Sequence, residues 1–473
     1  MSSDPDAIVV GSGPNGLVAA IRLAEAGQQV LLLEAAPIIG GGMRTEELTL
    51  PGFKHDVCSS VHPLALASPA FRALNLAREG LEFAHPSIPF GHPIDERDTA
   101  LLLRDVKETA RGLGRDEAAW RRIMGRLLHL GQPLVDSLLS PLDLPPKAPI
   151  ALAQYGLVGA WPSQVVGGVV FREEPARALL AGVAAHSMLR MSALTTAGFG
   201  LLLGLLAHQV GWPVAVGGSQ NIADALAKRL RSLGGEIVTD HRVDSLAELP
   251  PSASIVLNLS PRQVVAIAGD KLPNRYRRSL ERFRLAPGVF KVDWALDGPV
   301  PWRDSRLSGA GTVHVCGTAA EVAASEHATA AGQHSERPYV LFVQASVADA
   351  TRAPAGKHTG WAYCHVPNGS RVDMTDRIES QLERFAPGFR ERVLARSTMD
   401  AAALEAHNAN DVGGDIAGGA TDWRQFLRRP VLSRSPWVTP VPGLYLCSAS
   451  TPPGGGVHGM GGWHAAAEVL ARA

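Results

Sequence analysis

The stretch DAIVVGSGPNGLVAAIRLAEAGQQVLLLEAAPIIGGGMRT, residues 6–45, decides the fold. Ala7 to Val10 is a short apolar run of buried-strand type, and Gly11, Gly13 and Gly16 follow it in the spacing GxGxxG. In that spacing the first glycine allows a tight turn and the second lets backbone approach a pyrophosphate. The third lets helix pack closely on strand. Ser12, Pro14 and Asn15 complete the phosphate-facing turn. A helix from Gly16 to Ala26 then aims its N-terminal N–H groups at phosphate, and Gly27 stops it where a left-handed cap is cheapest. Gln29 to Leu33 reads as the second strand. It ends at Glu34-Ala35, where the carboxylate can accept hydrogen bonds from a ribose diol. A lone GxGxxG is weak evidence, but strand, turn, helix, strand and acid in this order specify a dinucleotide-binding βαβ unit.

Outward from this unit, the chain has 473 residues, 46% hydrophobic and 19% charged, enough for two or three domains' worth of core. Its 45 basic and 45 acidic residues cancel. No whole-molecule field therefore favours nucleic acid or anionic lipid. The start, MSSDPD, lacks the basic and then apolar pattern of a secretory signal, so a cytoplasmic location is expected. Cys58, Cys316, Cys364 and Cys447 are scattered without metal-ligand or CxxC spacing. Buried free thiols and no metal site are expected. Two uncharged stretches, 148–171 and 191–216, are interrupted by prolines, glycines or polar residues and read as core or cavity-lining segments rather than membrane spans. An apolar surface that touches a membrane to collect a lipid-like substrate is the other reading, and homo-oligomerisation stays open.

A second block starts at Gly217: a glycine turn, Ser219 as N-cap, an amphipathic helix, a stop at Gly234-Gly235 and a strand reaching Val243. Further strands are expected at 254–259 and 289–296, the latter alternating as a half-buried strand does. Two more, 338–345 and 360–366, are expected as antiparallel neighbours, and residues 376–395 read as helical, interrupted at Pro387-Gly388. The last block places a strand at 444–447 and a helix at 463–473. Six glycines lie between them, so many that backbone there is expected to approach something flat or anionic.

These blocks together resemble the glutathione-reductase-like flavoproteins, specifically the phytoene-desaturase-like branch, over nearly the whole chain. The middle segments RAPAGKHTGWAYCHVPNG, RIESQLERFAPGF and NANDVGGDIAGGA resemble its pyridine-nucleotide-disulfide-oxidoreductase-domain subgroup. The resemblance implies an α/β fold in which a Rossmann-like FAD-binding domain (1–75, 212–288 and 430–473) is interleaved with an α+β substrate domain of mixed sheet and helices (76–211 and 289–429). Residues 76–211 are expected to be mainly helical cap or cavity lining. It implies that Gly11, Gly13, Gly16 and Glu34 hold the ADP half of FAD, and that Gly40, Gly41, Gly42, Arg44 and Thr45 run beside the diphosphate and ribityl chain. Val243 falls at a backbone contact to adenine. Ala449, Ser450, Gly456, Val457 and His458 fall in the segment that closes over the ribityl chain and flavin. Cys447-Ser448-Ala449 and His458 depart from the pattern of carotenoid desaturases.

No second dinucleotide turn is visible in mid-chain, so reduced flavin would pass its electrons to dioxygen or a quinone. The expected activity is hydride transfer from a C–C bond of a small apolar, isoprenoid-like or acyl, substrate to flavin N5. The alternatives are a flavin-dependent isomerase, an amine oxidase, disfavoured by only 5% aromatic residues, and a non-catalytic FAD scaffold. His458, His365 and Tyr363 are the candidate catalytic residues, the last two sharing a face of one strand. Each also has a structural reading, as do His464, Asn408, Asn410 and Asp415.

Overall fold

Ala7–Val10 is a strand in which every residue is buried. It lies at the centre of a five-stranded parallel sheet in the order Leu444–Leu446, Ser254–Leu257, Ala7–Val10, Val30–Leu33, Glu236–Val238. These assignments come from a computed structural model, which describes residues 4–96, 98–141 and 146–473. Parallel strands are covered on both faces and therefore read as continuous apolar runs. Alternation still sorts their side chains. Ala7, Val9, Leu32 and Val256 pack under the helices Pro14–Glu25, Gln220–Ser232 and Met460–Leu470, while Ile8, Val10, Leu33, Leu257 and Leu446 pack on the opposite side with Val264 and Leu280.

Several boundaries differ from expectation. The strand after Gly235 ends at Val238 rather than Val243, because the chain turns at Asp240 (φ 53°) and bonds back through His241 N–H to the Glu34 carbonyl, 2.9 Å. Ser219 stands at the N-cap but makes no capping bond; its hydroxyl instead donates to the Ser59 carbonyl at 2.7 Å. The last helix begins at Met460, not Trp463. Gly461 and Gly462 therefore belong to its first turn, and a Cβ at Gly462 would run into the Asn15 carbonyl. Two of the six glycines thus serve close packing of the first and last helices rather than approach to a ligand.

A second, seven-stranded mixed sheet runs in the order Val393–Met399, Gly288–Leu296, His358–Val366, Val340–Val343, Ala310–Val315, Ile88–Pro93, Thr99–Leu102. The expected antiparallel pairing of 340–343 with 361–364 is present. Gly288–Leu296, expected to be half-buried, is buried at all nine positions. It has a strand on each side and a core on each face: Val292, Trp294, Phe342 and Phe389 on one, Val289, Leu341 and Trp361 on the other. Its polar residues Lys291 and Asp293 are consequently paired with each other inside the protein. Residues 376–395 are not one interrupted helix. Thr375–Phe385 is helical, and after the break Val393–Met399 forms an edge strand that alternates between partly buried and exposed residues.

The helix Thr196–Gln209 from the second uncharged stretch is core, with Leu205, Leu206 and Ala207 fully buried. The first stretch departs from the core expectation. Its helices Pro149–Gly159 and Ser163–Val170 bury few residues and expose Ile150, Leu157 (70%), Val165 and Val169 (81%), and Trp161 between them is exposed as well. Among the described residues no helix is long and apolar enough to cross a membrane. The four cysteines are free, three of them buried.

Candidate functional site

The parallel strands end at Val10, Leu33, Leu257 and Leu446, and the chain leaves each carboxyl end into one cavity of about 690 Å³. This is where open parallel sheets bind ligands, because the connecting turns separate there. Gly11, Ser12, Gly13, Pro14 and Asn15 form one wall; Glu34, Ala35, Gly41, Gly42 and Arg44 form the next. Val243 is at the Glu34 side, and Ser448, Ala449, Ser450, Gly456 and Val457 come from the far end of the chain. Gly16 lies behind the turn: a Cβ there would collide with the Gly11 carbonyl.

The Glu34 carboxylate is already held before any ligand is considered. One oxygen accepts from Ser12 N–H (2.8 Å) and the Ser12 hydroxyl (2.5 Å), the other from Ala36 N–H (3.0 Å), with Arg44 at 3.8 Å. Arg44 donates to the His407 carbonyl at 3.0 Å while its buried Nε has no partner. An orphaned guanidinium N–H on a cavity wall is what an anionic ligand satisfies.

Asn258, Arg429 and Asp411, absent from the sequence-based expectation, complete the site together with Asn408, Asn410 and Asp415, which the sequence singles out. Asn258, one residue beyond its strand, supports the glycine turn by donating to the Gly11 carbonyl at 3.3 Å. Its position at a strand's carboxyl end was the available signal. Arg429 is fully satisfied by backbone, donating to the carbonyls of Ala449 (3.0 Å), Ala420 (3.2 Å), Ala417 (2.9 Å) and Gly418 (2.6 Å). It thereby ties the 417–420 loop to the closing segment; burial pulls it down to about 10, still charged at neutral pH. Asn410 accepts from Ser260 N–H and Gln263, each 2.7 Å, and donates to the Asn258 carbonyl at 3.0 Å. Asn408, Asn410, Asp411 and Asp415 all line the cavity, as do Cys58 and Ser59.

The segment carrying Cys58 is anchored by Asp56. Its carboxylate accepts from Arg352 (2.9 Å), Thr45 (2.7 Å), Ser60 (2.8 Å) and Ser219 N–H (2.8 Å). Burial alone would raise this acid, but Arg352 and the donated hydrogen bonds outweigh it and hold Asp56 below the usual carboxylate range. Arg352 also binds Asp349 at 3.0 Å. Asp293 goes the other way: burial pushes it up to about 6 against the pull of Lys291.

The candidate catalytic residues lie elsewhere than expected. His458 is not on the cavity wall. Its Nδ1 accepts from Met460 N–H at 3.0 Å and its Nε2 faces the Gly454 carbonyl at 3.2 Å, so the ring splints the closing loop. Burial lowers it to about 4, which leaves it neutral. His365 and Tyr363 do share a face, rings 5.6 Å apart, but neither lines this cavity. His365 is held at 2.9 Å from both oxygens of Glu326, and burial pushes the Tyr363 phenol up. His464 packs on Trp437, outside the cavity.

Residues 9–75 match the NAD(P)-binding Rossmann-like domain family. The chain is 28% identical to pyridine nucleotide-disulfide oxidoreductase domain-containing protein 2 of Rattus norvegicus, over 98% of this chain and 92% of that one. It is 27% identical to the phytoene desaturase (neurosporene-forming) of Rhodobacter capsulatus over 54% of this chain and 53% of that one. An oxidoreductase of Methanosarcina mazei shares the fold with a TM-score of 0.67 at 15% identity, covering 98% of this chain and 99% of that one. The fold is thus a Rossmann-like parallel sheet joined to a separate mixed sheet, with a dinucleotide-binding domain at residues 9–75.

Proposed function

We propose that this chain is an FAD-dependent oxidoreductase that oxidises a C–C bond of an apolar substrate, with dioxygen or a quinone as final acceptor. The observation that carries this reading is the make-up of the cavity. Its lining brings Val243, the glycine turn and Arg44 into one cavity with Cys58, Asp411, Ile416 and Val457. A cofactor with an ADP half and a second ring system matches that lining, and the residues fit it: a fixed carboxylate at Glu34, a close-approach turn, and an orphaned Arg44 donor. Bound FAD supplies a two-electron hydride acceptor.

What the protein adds is position and exclusion of water. Ile416 lines the cavity and also packs with the apolar cluster of Met188, Leu341, Trp361 and Val61, on the face of the mixed sheet turned to this side. Such a wall orients an apolar substrate and keeps bulk water from the reacting bond. The partial similarity to a phytoene desaturase supports the apolar substrate class. The exposed apolar residues of Pro149–Gly159 and Ser163–Val170 support pickup of that substrate at a lipid surface.

The deciding experiment is anaerobic mixing of FAD-loaded protein with a panel of isoprenoid and acyl compounds. Loss of the flavin's visible absorbance with one of them is the expected result. Bleaching by amines alone assigns amine oxidation instead; product formed only after prior reduction, with no acceptor consumed, assigns an isomerase. Retained FAD that nothing bleaches assigns a scaffold.

A further inference from the structure

Two carboxyl groups of the loop 408–415 reach the cavity, and their surroundings differ. Asp415 is spent on backbone: one oxygen accepts from Ala286 N–H and Gly419 N–H, both 2.8 Å, the other from Ala417 N–H at 2.9 Å. Asp411 has the Asn408 side chain as its hydrogen-bond partner and otherwise faces the cavity. Its backbone is fixed at this wall, because Asn410 next to it is clamped beside the end of the strand Ser254–Leu257 by the three hydrogen bonds already described, and Gly414 N–H holds the Asp411 carbonyl at 2.8 Å.

The charged and titratable groups facing Asp411 are Asp415 on its own loop, Arg44 from the second glycine turn, and the Cys58 thiol from the segment anchored by Asp56. The His407–Glu46 pair, 2.8 Å, lines the same cavity. Burial, with the Asp415 charge added, pushes Asp411 up to about 8 against the opposing pull of Asn408 and Arg44. Burial likewise pushes the Cys58 thiol up, so it stays neutral. A carboxyl in its acid form is a hydrogen-bond donor, whereas an ionised one only accepts.

We propose that Asp411 contacts the bound cofactor on the Cys58 side of the cavity and donates its carboxyl hydrogen to it. This rests on the FAD reading above. Ionisation removes the donor and sets a negative charge beside the ligand, so cofactor affinity is level below about pH 8 and falls by about tenfold per pH unit above it.

The test is the FAD dissociation constant, read from flavin fluorescence between pH 6 and 9, for the wild type, Asp411→Asn and Asp411→Ala, with thermal unfolding confirming that each variant is folded. Asp411→Asn keeps a donor that cannot ionise and is expected to bind FAD with no fall above pH 8. Asp411→Ala is expected to bind about three- to tenfold more weakly at pH 7, the worth of one hydrogen bond, and also without the fall. A wild-type affinity that is level across the range overturns the proposal, as does Asp411→Asn that keeps the wild-type fall or Asp411→Ala with wild-type affinity at pH 7. A wild-type protein that binds no FAD even at pH 6.5 overturns the FAD reading itself, and this inference with it.

Discussion

The two sheets hold their polar groups in opposite ways. Around the parallel sheet, the cavity is built from glycine turns and backbone N–H groups, with a few side chains such as Glu34 and Asn258 tied to adjacent backbone. Around the mixed sheet, polar side chains are buried against one another: Arg352 with Asp56 and His365 with Glu326 across long sequence distances, Arg352 with Asp349 and Lys291 with Asp293 between near neighbours in sequence. The first arrangement tolerates little added volume, whereas the second tolerates little loss of charge. The cofactor side is therefore sensitive to where backbone lies, and the opposite side to which partner stands across from each ion.

The strongest way to break this contrast is Arg352→Met, which leaves Asp56 and Asp349 buried without their cation. A loss of about 3–5 kcal/mol in urea unfolding is expected, as for other broken buried ion pairs, and it should shrink toward acid pH, where the orphaned carboxyls protonate. An Arg352→Met protein as stable as wild type at pH 7 would remove the contrast. On the cofactor side, Glu34→Ala should cost about 1.5–3 kcal/mol of FAD affinity by titration, the worth of charge-assisted hydrogen bonds, and little global stability. Equal FAD retention in that variant counts against the site as drawn.

Gly462→Ala sets a Cβ against the Asn15 carbonyl. Overpacking of about 1–3 kcal/mol is expected, read as a lower unfolding midpoint together with weaker FAD binding, since Asn15 belongs to the cofactor turn. Unfolding without any change in FAD binding would show that the first and last helices are not coupled to the site.

The mildest effect is on pH dependence. Burial lowers His186 to about 3 and His92 to about 4, and His314 well below its ordinary value; His186 and His314 share a hydrogen bond of 3.0 Å. These rings are neutral when folded but protonate near pH 6.5 when unfolded, so the unfolded state binds more protons and stability falls as pH drops from about 6.5 toward 4. Asp293, raised to about 6, and Asp411, raised to about 8, oppose this, each between its unfolded and its folded value, but are outnumbered. His186→Gln should flatten the slope by up to about 1.4 kcal/mol per pH unit. An unchanged slope would show that this cluster does not set the acid limit.

How much was legible follows the same division. The turn at Gly11–Gly16, the acid at Glu34 and the second turn at Gly41–Gly42 were readable because a phosphate-binding loop is a local object: its residues are adjacent in sequence and chosen for backbone conformation. The antiparallel neighbours 340–343 and 361–364 were readable from their apolar runs and the Pro- and Gly-bearing connection between them. His458 misled, because a histidine amid glycines near a cofactor fits a ligand contact and a loop splint equally well. The exposed helices of 148–171 misled because absence of charge does not distinguish core from an apolar surface.

The sequence by itself determined a dinucleotide-binding βαβ unit, free thiols and the lack of charge bias, since each depends on residue type and short-range spacing alone. Only the tertiary structure decided that Arg429, Asn258 and Asp411 belong to the site, that Lys291 and Asp293 face inward, and that His365 is bound to Glu326. Those facts depend on which distant segments meet. A side chain's protonation, partners and exposure are set by the neighbours that folding brings to it, and no short window of sequence contains them.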